Sequence, residues 1–276
     1  MLVFLAFLPI LVVGVLMIGL TWPSQKAMPL GYVTAVLVAL IGWNMPLRWL
    51  SAASIAGIIN AFDILLIVYG ALIILQMMSK SGGIDAISRS MAYISDDRRV
   101  QIIIIAWLMG SFLEGAAGFG TPAAVAAPLL VGMGFPPLVA AGATLMADST
   151  PVTFGAVGVP IWGGFAAIKT LGVWPMQIEG EAVSFLEFLG RISAFAGLVH
   201  LFVGTFIPLA IVAIMTKITR GSFRQGLEIW PLAVLGGLVF TVPQMLIAVL
   251  VGPELPTLLG SLIGLPLFIL LVRKKV

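Results

Sequence analysis

The segment from Gly110 to Gly164 constrains the fold most, because it is apolar enough for a bilayer yet cannot form one continuous helix. It holds eleven glycines, six prolines and two acids, Glu114 and Asp148. Unsatisfied peptide groups and carboxylates are both costly in lipid. Irregular backbone is tolerated at membrane depth only where it is buried in protein or lines a polar cavity. The segment therefore indicates broken helices around a cavity, which is typical of the substrate site of a secondary transporter.

Composition gives the fold class. Hydrophobic residues make up 61% of the chain, charged residues 9%, and the mean hydropathy is +1.19. These values predict an all-α polytopic membrane protein. The chain has no cysteine and one histidine, His200. We therefore expect no metal site, no cofactor and no enzymatic activity, and no basic run indicates nucleic-acid binding.

The apolar runs predict about seven crossings, one re-entrant hairpin and one broken helix. Two runs, 100–113 and 122–134, are too short to cross a bilayer, so we expect them to enter and leave on one side. Residues 148–155 interrupt another helix. The predicted crossings, including the two half-helices, are 2–20, 30–45, 53–79, 137–147 with 156–172, 192–215, 229–251 and 257–272.

We expect one transmembrane domain over residues 1–276 with four parts. Residues 1–80 form scaffold helices, and 81–99 lie as a helix on the membrane surface. Residues 100–172 contain the hairpin and the discontinuous helix. Residues 173–276 form further transmembrane helices.

Basic residues predict the orientation. The topology places eleven of them on one side and three, Arg48, Lys169 and Arg191, on the other. Positive residues concentrate on the cytoplasmic side. The N-terminus is therefore expected outside and the C-terminus in the cytoplasm. With an odd number of crossings, a homologous following segment would be inverted, so we interpret the chain as one half of an inverted-repeat transporter.

Two stretches carry a family resemblance. FLEGAAGFGTPA at 112–123 and ADSTPVTFGAVGVPI at 147–161 closely resemble the signature stretches of the L-lactate permease family, and GPELP at 252–256 is similar to a third landmark. The resemblance implies proton-coupled uptake of lactate, and commonly glycolate, across a bacterial inner (plasma) membrane. It also implies a second, homologous half as a partner, in the same or another chain. Asn60 and Asp63 lie outside the resemblance, and we expect a polar contact between helices there.

A small 2-hydroxy acid needs hydrogen-bond donors and positive potential without a trapping charge. Helix N-termini provide both, and two are expected here, at 121–123 and 155–158. Thr121 is a plausible N-cap and Pro122 suits the first turn. The alternative is that the glycines only pack helices closely. The predicted substrate-binding residues are Gly115, Gly118, Gly120, Thr121, Ser149, Thr150, Thr153 and Gly155.

Glu114 and Asp148 are the predicted proton-coupling residues. A carboxyl group out of water favours its neutral form and can take up and release a proton. Alternatively, Glu114 is a structural acid bonded to N–H groups of the turn, and Asp148 only caps the broken helix. For His200 we expect a contact between helices.

Two other function classes stay open at this point. A membrane enzyme would need a clustered catalytic set, which the sequence lacks. A non-transporting fragment or assembly partner would need a complementary half.

Overall fold

The computed structural model describes residues 2–83, 86, 90, 94–118, 120–169, 174–178 and 180–274, and most of these residues are helical. The chain divides into two compact units, Met1–Leu66 and Ile67–Val276. Most of the predicted surface segment 81–99 lies outside the described residues, as do residues 170–172 of a predicted half-helix. The side chains of Asn60 and Asp63 are also outside the description.

The first unit contains three helical segments. Helix α1 (Leu2–Gly14) continues into a π-helical turn (Val15–Gly19), helix α2 spans Ser24–Gly42, and α3 runs from Leu47 to Lys80 into the second unit. Helices α2 and α3 begin six residues earlier than predicted. The carbonyls of Pro23 and Pro46 accept the first helical N–H bonds there, so each proline leads directly into a helix.

The second unit contains ten α-helices and one β-hairpin in its described part after residue 80. The hairpin of β1 and β2 is antiparallel and was not predicted. The elements are α4 (Arg98–Ile102), a π-helix (Ile103–Met109), α5 (Gly110–Ala117), α6 (Thr121–Gly132), α7 (Pro137–Asp148), a 3-10 helix (Pro151–Phe154), α8 (Gly155–Lys169), β1 (Met176–Ile178), β2 (Glu181–Val183), α9 (Phe185–Gly204), α10 (Ile207–Arg220), α11 (Arg224–Leu227), α12 (Trp230–Leu250) and α13 (Pro256–Arg273).

The centre of the second unit is one helix, Arg98–Ala117, made of α4, the π-helix and α5. Every residue from Ile102 to Leu108 is at most 1% exposed. The indole N–H of Trp107 donates to the carbonyl of Gly236 at 3.0 Å, and its ring meets Phe240 edge-on at 5.1 Å. A helix that is apolar all round is a core helix. Helices α6, α7, α8, α10, α12 and α13 of this unit contact it.

The central helix and α6 form a helical hairpin. At its open end the Arg98 guanidinium donates to the carbonyl of Gly134 at 3.1 Å. Near its closed end, a Cβ on Gly110 would lie 3.4 Å from the Cβ of Pro122. The first arm has 20 residues, about 30 Å, whereas we predicted an arm ending at residue 113. The prediction was too short because the helix continues through Gly115.

The second predicted interruption is a genuine break between α7 and α8. After Asp148 the chain forms the short 3-10 helix. Ala156, Val157 and Gly158 then adopt left-handed backbone with φ of 43°, 55° and 83°. This conformation is strained for a β-branched residue such as Val157. Regular helix resumes only after Gly158.

Five helices among the described residues are long and apolar enough to cross a membrane. This supports an all-α membrane protein. The predicted crossing at 192–215 is instead part of a 36-residue apolar stretch, because a capping box of Ser184 and Glu187 starts α9 earlier. The five candidates are Ser24–Gly42, Arg98–Ala117, Phe185–Arg220, Trp230–Leu250 and Pro256–Arg273.

We predict that Gly237→Ala destabilises the second unit. An added Cβ would lie 2.1 Å from the carbonyl oxygen of Thr205, and a backbone atom cannot move aside cheaply. The expected loss is about 1–3 kcal/mol in unfolding free energy, measured by thermal unfolding in detergent. Gly163→Ala is the matched control, since a Cβ there meets no atom within 4 Å. Equal melting temperatures for the two variants would contradict this close contact.

Candidate functional site

Three stretches that are distant in sequence meet in the second unit. We call residues 114–121 the hairpin tip, residues 148–158 the helix break, and residues 252–258 the α13 start. They are the three stretches that carry the resemblance described above. The hairpin tip contacts both of the others, and the helix break also contacts the α13 start.

Glycines make these contacts possible. A Cβ on Gly115 would lie 2.7 Å from the backbone nitrogen of Leu258, so the hairpin tip touches the first turn of α13 through backbone alone. A Cβ on Gly118 would lie 2.6 Å from the Cβ of Ala156, and Gly118 also has positive φ, 69°. Any larger residue at either position would push the segments apart.

The contact between the helix break and the α13 start follows the same pattern. A Cβ on Gly158 would lie 2.5 Å from the carbonyl oxygen of Pro253. Beside it, the indole N–H of Trp162 donates to the Oε1 of Glu254 at 2.9 Å. The break is therefore held from the α8 side by both backbone packing and a side-chain hydrogen bond.

Glu114 lies completely buried between the hairpin tip and the helix break. Its Oε2 accepts a hydrogen bond from the backbone N–H of Gly120 at 3.1 Å. Its Oε1 has no hydrogen-bond partner among the described residues, and a Cβ on Gly155 would lie 2.6 Å from it. One carboxyl oxygen thus holds the turn through the N–H of Gly120, which is the structural role given above as the alternative for Glu114. The other oxygen has no hydrogen-bond partner among the described residues.

Asp148 is the acid that interacts with Glu114. The charges of the two carboxyl groups act on each other, and the Oδ1 of Asp148 is buried without a hydrogen-bond partner in the described structure. Neither acid is in any of the ion pairs found among the described residues. Two carboxylates in contact without a cation repel each other strongly when both are charged. The pair is therefore suited to holding a proton between its two members.

Thr121 does not cap α6, so that prediction is wrong. Gly120 occupies the N-cap position with left-handed backbone, φ 76°, and Pro122 lies in the first turn as predicted. The Thr121 hydroxyl instead donates to the carbonyl of Gly118. The backbone N–H groups of Thr121 and Ala123 bond within the turn at 3.1 Å. In this conformation most donors at this helix end are used internally.

The predicted hydroxyls of the break do not all face the acids. Ser149 is exposed and donates back to the carbonyl of Met146 at 2.7 Å. Thr150 is buried against Gly204, where a Cβ would lie 2.9 Å from its Cγ2. Thr153 bonds to the Nε2 of His200 at 3.2 Å. The structure therefore brings Glu114, Asp148, Gly115, Gly118, Gly120, Thr121 and Gly155 together, while Thr150 and Thr153 contact α9.

A chain of polar side chains anchors the break to α9, α12 and α13. The Thr257 hydroxyl donates to the carbonyl of Pro151 at 3.0 Å, and the side-chain NH2 of Gln244 donates to that hydroxyl at 3.0 Å. Gln244 also interacts with His200, which bonds to Thr153. Sequence reasoning missed Gln244 and Thr257. Each is a single polar residue in an otherwise apolar helix, and a buried polar side chain needs a hydrogen-bond partner. That pattern could have identified both residues.

These bonds fix the donor and acceptor roles along the chain. Because its NH2 group points to Thr257, the amide of Gln244 presents its oxygen to the imidazole. The Oε1 of Gln244 and the Nδ1 of His200 are both buried, and neither has a hydrogen-bond partner in the described part of the chain. This arrangement favours a neutral ring that carries its proton on Nδ1, toward the Gln244 oxygen, and accepts from the Thr153 hydroxyl at Nε2. In the described residues, no group of three His, Cys, Asp or Glu is placed to hold a metal ion.

We predict that His200 is neutral with its proton on Nδ1. Because the chain contains one histidine, 15N-histidine labelling gives a spectrum with a single ring, provided that purification avoids a histidine tag. Thr153→Val should shift the Nε2 resonance by removing its donor, whereas Thr153→Ser should restore it. Thr219→Val, a hydroxyl loss on α10, is the control. A charged ring or an Nε2–H tautomer in the unaltered chain would disprove this assignment.

Comparison with known proteins places the chain in a family. The model of the L-lactate permease family matches residues 3–275. The L-lactate permease of Bacillus subtilis (strain 168) is 38% identical over 232 residues, 84% of this chain and 37% of that protein. The glycolate permease GlcA and the L-lactate permease of Escherichia coli (strain K12) are each 34% identical, over 98% of this chain and 45% of those proteins.

The chain therefore spans less than half the length of these three relatives. No solved structure matches it. The match to the family model covers nearly all of the 276 residues, and the residues of the three meeting stretches lie within it. The chain belongs to the L-lactate permease family.

Proposed function

We propose that this chain takes part in proton-coupled symport of L-lactate, glycolate or a similar 2-hydroxy monocarboxylate. The transport would cross a bacterial inner (plasma) membrane, with the N-terminus outside and the C-terminus in the cytoplasm. The names of the relatives support the substrate class. The observation that carries the coupling is the interaction between the carboxyl groups of buried Glu114 and half-buried Asp148, neither of which is in an ion pair among the described residues.

The coupling follows from competition for one backbone donor. Ionised Glu114 acts as an internal anion and accepts the N–H of Gly120. When Glu114 takes up a proton, the acceptor strength of its carboxyl falls, because charged acceptors form the stronger hydrogen bonds. The Gly120 N–H then becomes available to the carboxylate of a substrate. Proton and anion therefore bind favourably together, which is what symport requires.

Open space at the hairpin tip also supports the binding of a substrate carboxylate at Gly120. Apart from its two chain neighbours, no described residue has an atom within 4 Å of a Cβ on Gly120, although Gly115 and Gly118 are tightly enclosed. A small anion has room on this side of the turn. Close approach to the backbone needs a residue without a side chain, and the positive potential of the α6 N-terminus favours a negative ligand.

Asp148 shares the proton in this scheme. Because its carboxyl touches that of Glu114, the pair holds one proton in the loaded state and releases it as a unit. The remaining predicted contacts, Ser149, Thr150, Thr153 and Gly155, belong to the helix break. We propose that they line the substrate path when the break changes conformation.

A second candidate is an assembly partner that transports only with a complementary half. It is favoured by the length comparison, since the aligned part covers 37–45% of the three relatives. In that case the hairpin and the break form one half of a site, with a re-entrant hairpin on one membrane face. Reconstitution with and without the homologous remainder of a relative separates the two candidates.

The carboxyl pair gives the first transport test. In proteoliposomes with an imposed pH gradient, Glu114→Gln should abolish lactate accumulation, because the amide cannot take up a proton. Lactate–lactate exchange should continue, since exchange need not discharge a proton. Asp148→Asn should also reduce accumulation, because the pair acts together. Glu181→Gln, an exposed acid of β2, is the control. Unaltered accumulation in both pair variants would remove them from coupling.

The hairpin tip gives the second transport test. Gly120→Leu should lower uptake by about tenfold or more, because the side chain fills the open space and positive φ disfavours it. Thr121→Val should also lower uptake by removing the bond to Gly118. Gly132→Leu is the control, as a Cβ there meets nothing within 4 Å and φ is not positive. Labelled lactate uptake is compared at equal amounts of inserted protein. Normal uptake by both tip variants would place the substrate elsewhere.

A further inference from the structure

A cavity of about 280 Å³ opens beside the end of the hairpin that is opposite its tip. Two arginines line it, Arg98 at the start of α4 and Arg220 at the end of α10, together with Phe135, Met215 and Thr219. The Arg98 guanidinium is held over the ring of Phe135, 5.4 Å from its centre, while donating to a backbone carbonyl. Its position is therefore fixed at the cavity wall.

The positive charge of this cavity is only partly neutralised locally. The neighbouring Arg99 pairs with Asp97 at 2.7 Å and with Glu228 at 3.2 Å. Burial raises the pKa of Asp97, but the hydrogen bonds and charge of Arg99, together with the charge of Arg220, outweigh it and hold the pKa below its usual value. Arg98 and Arg220 form no ion pair among the described residues, so an anion in the cavity would still find two cations without a bonded partner acid.

An apolar groove continues from the cavity. Met215 lines both, and the groove runs between α7 and α10. Leu138 is 74% exposed beside it and Ile218 52% exposed. Gly142 forms part of its wall, and a Cβ there would meet nothing within 4 Å. The surface therefore places a shallow apolar groove next to a cationic pocket, an arrangement that suits an amphiphile with a negative head.

We propose that the cavity and groove bind one anionic phospholipid. Its headgroup phosphate would lie between Arg98 and Arg220, and an acyl chain would follow the groove past Met215 and Gly142. Guanidinium groups suit phosphate, and basic pockets between membrane helices bind anionic headgroups. Charge complementarity selects this occupant, since an anionic phospholipid brings a net negative charge, whereas the phosphate of a zwitterionic phospholipid is accompanied by its own ammonium group. The proposal requires only that the chain lies in a membrane and does not depend on the transport proposed above.

The test uses the delipidated chain in detergent and counts bound lipid by native mass spectrometry. Phosphatidylglycerol and phosphatidylcholine with identical acyl chains are compared. We expect about tenfold preference for phosphatidylglycerol, lost in the double variant Arg98→Gln, Arg220→Gln. Arg273→Gln removes an exposed arginine from the end of α13 and should keep the preference. Equal retention of the two lipids by the unaltered chain would overturn the proposal.

A second pair of variants tests the acyl chain. Gly142→Leu fills the groove without a clash and should lower phosphatidylglycerol retention several-fold, while Gly164→Leu, in open space on α8, should not. Inorganic phosphate distinguishes a free anion site from a lipid site. If phosphate displaces the lipid completely and Gly142→Leu has no effect, the cavity binds phosphate alone and the lipid proposal fails. Displacement of the lipid by a homologous second half would instead identify the groove as a protein interface and also overturn it. Melting temperatures confirm that each variant is folded.

Discussion

The architecture of the second unit depends on one buried carboxyl group. Glu114 is completely buried near the end of the central helix, where an unpaired charge is strongly unfavourable. The two oxygens of its carboxyl group have different surroundings. One accepts the N–H of Gly120 and so closes the hairpin tip, and the other faces Gly155 and Asp148 across the helix break. Two interruptions that are each unfavourable in lipid thus stabilise one another through a single side chain.

Close backbone approach is the second requirement. The hairpin tip, the helix break and the α13 start touch where Gly115, Gly118 and Gly158 have no side chain. Helices in lipid gain little from the hydrophobic effect when they associate, so their association depends largely on small residues that permit close packing. The π-helical stretch of the central helix ends five residues before Glu114, and such stretches are frequent near functional sites. The surrounding helices hold the central helix in place, and the central helix in turn fixes the position of the Glu114 carboxyl.

Sequence reasoning located both interruptions, because glycine, proline and acid in an apolar segment leave few alternatives. It also anticipated the turn between two helices at the hairpin tip and the first-turn Pro122, although the first arm is longer than predicted and is itself long enough to cross a membrane. It could not show that Glu114 and Asp148 interact, since helical periodicity does not say which helices are neighbours. The wrong cap at Thr121 has another origin: a Thr at the start of a helix often caps it, but here Gly120 occupies the N-cap position in left-handed backbone, so Thr121 already lies inside the helix. Gln244 and Thr257 were passed over because each is one polar residue in an apolar helix.

The strained residues of the break connect this geometry to a conformational change. Ala156 and Val157 are held in left-handed backbone, a conformation that persists only when its surroundings enforce it. On one side the enforcing contacts come from the hairpin tip, through Glu114 and Gly118. On the other side they come from the chain of hydrogen bonds through His200. Under the proposed function, a proton on the carboxyl pair weakens the bond from Glu114 to Gly120 but removes the repulsion between the two acids, so one acid can donate a hydrogen bond to the other. Loss of the proton would restore the repulsion across the break. Release of the proton would then favour separation of the break from the hairpin tip.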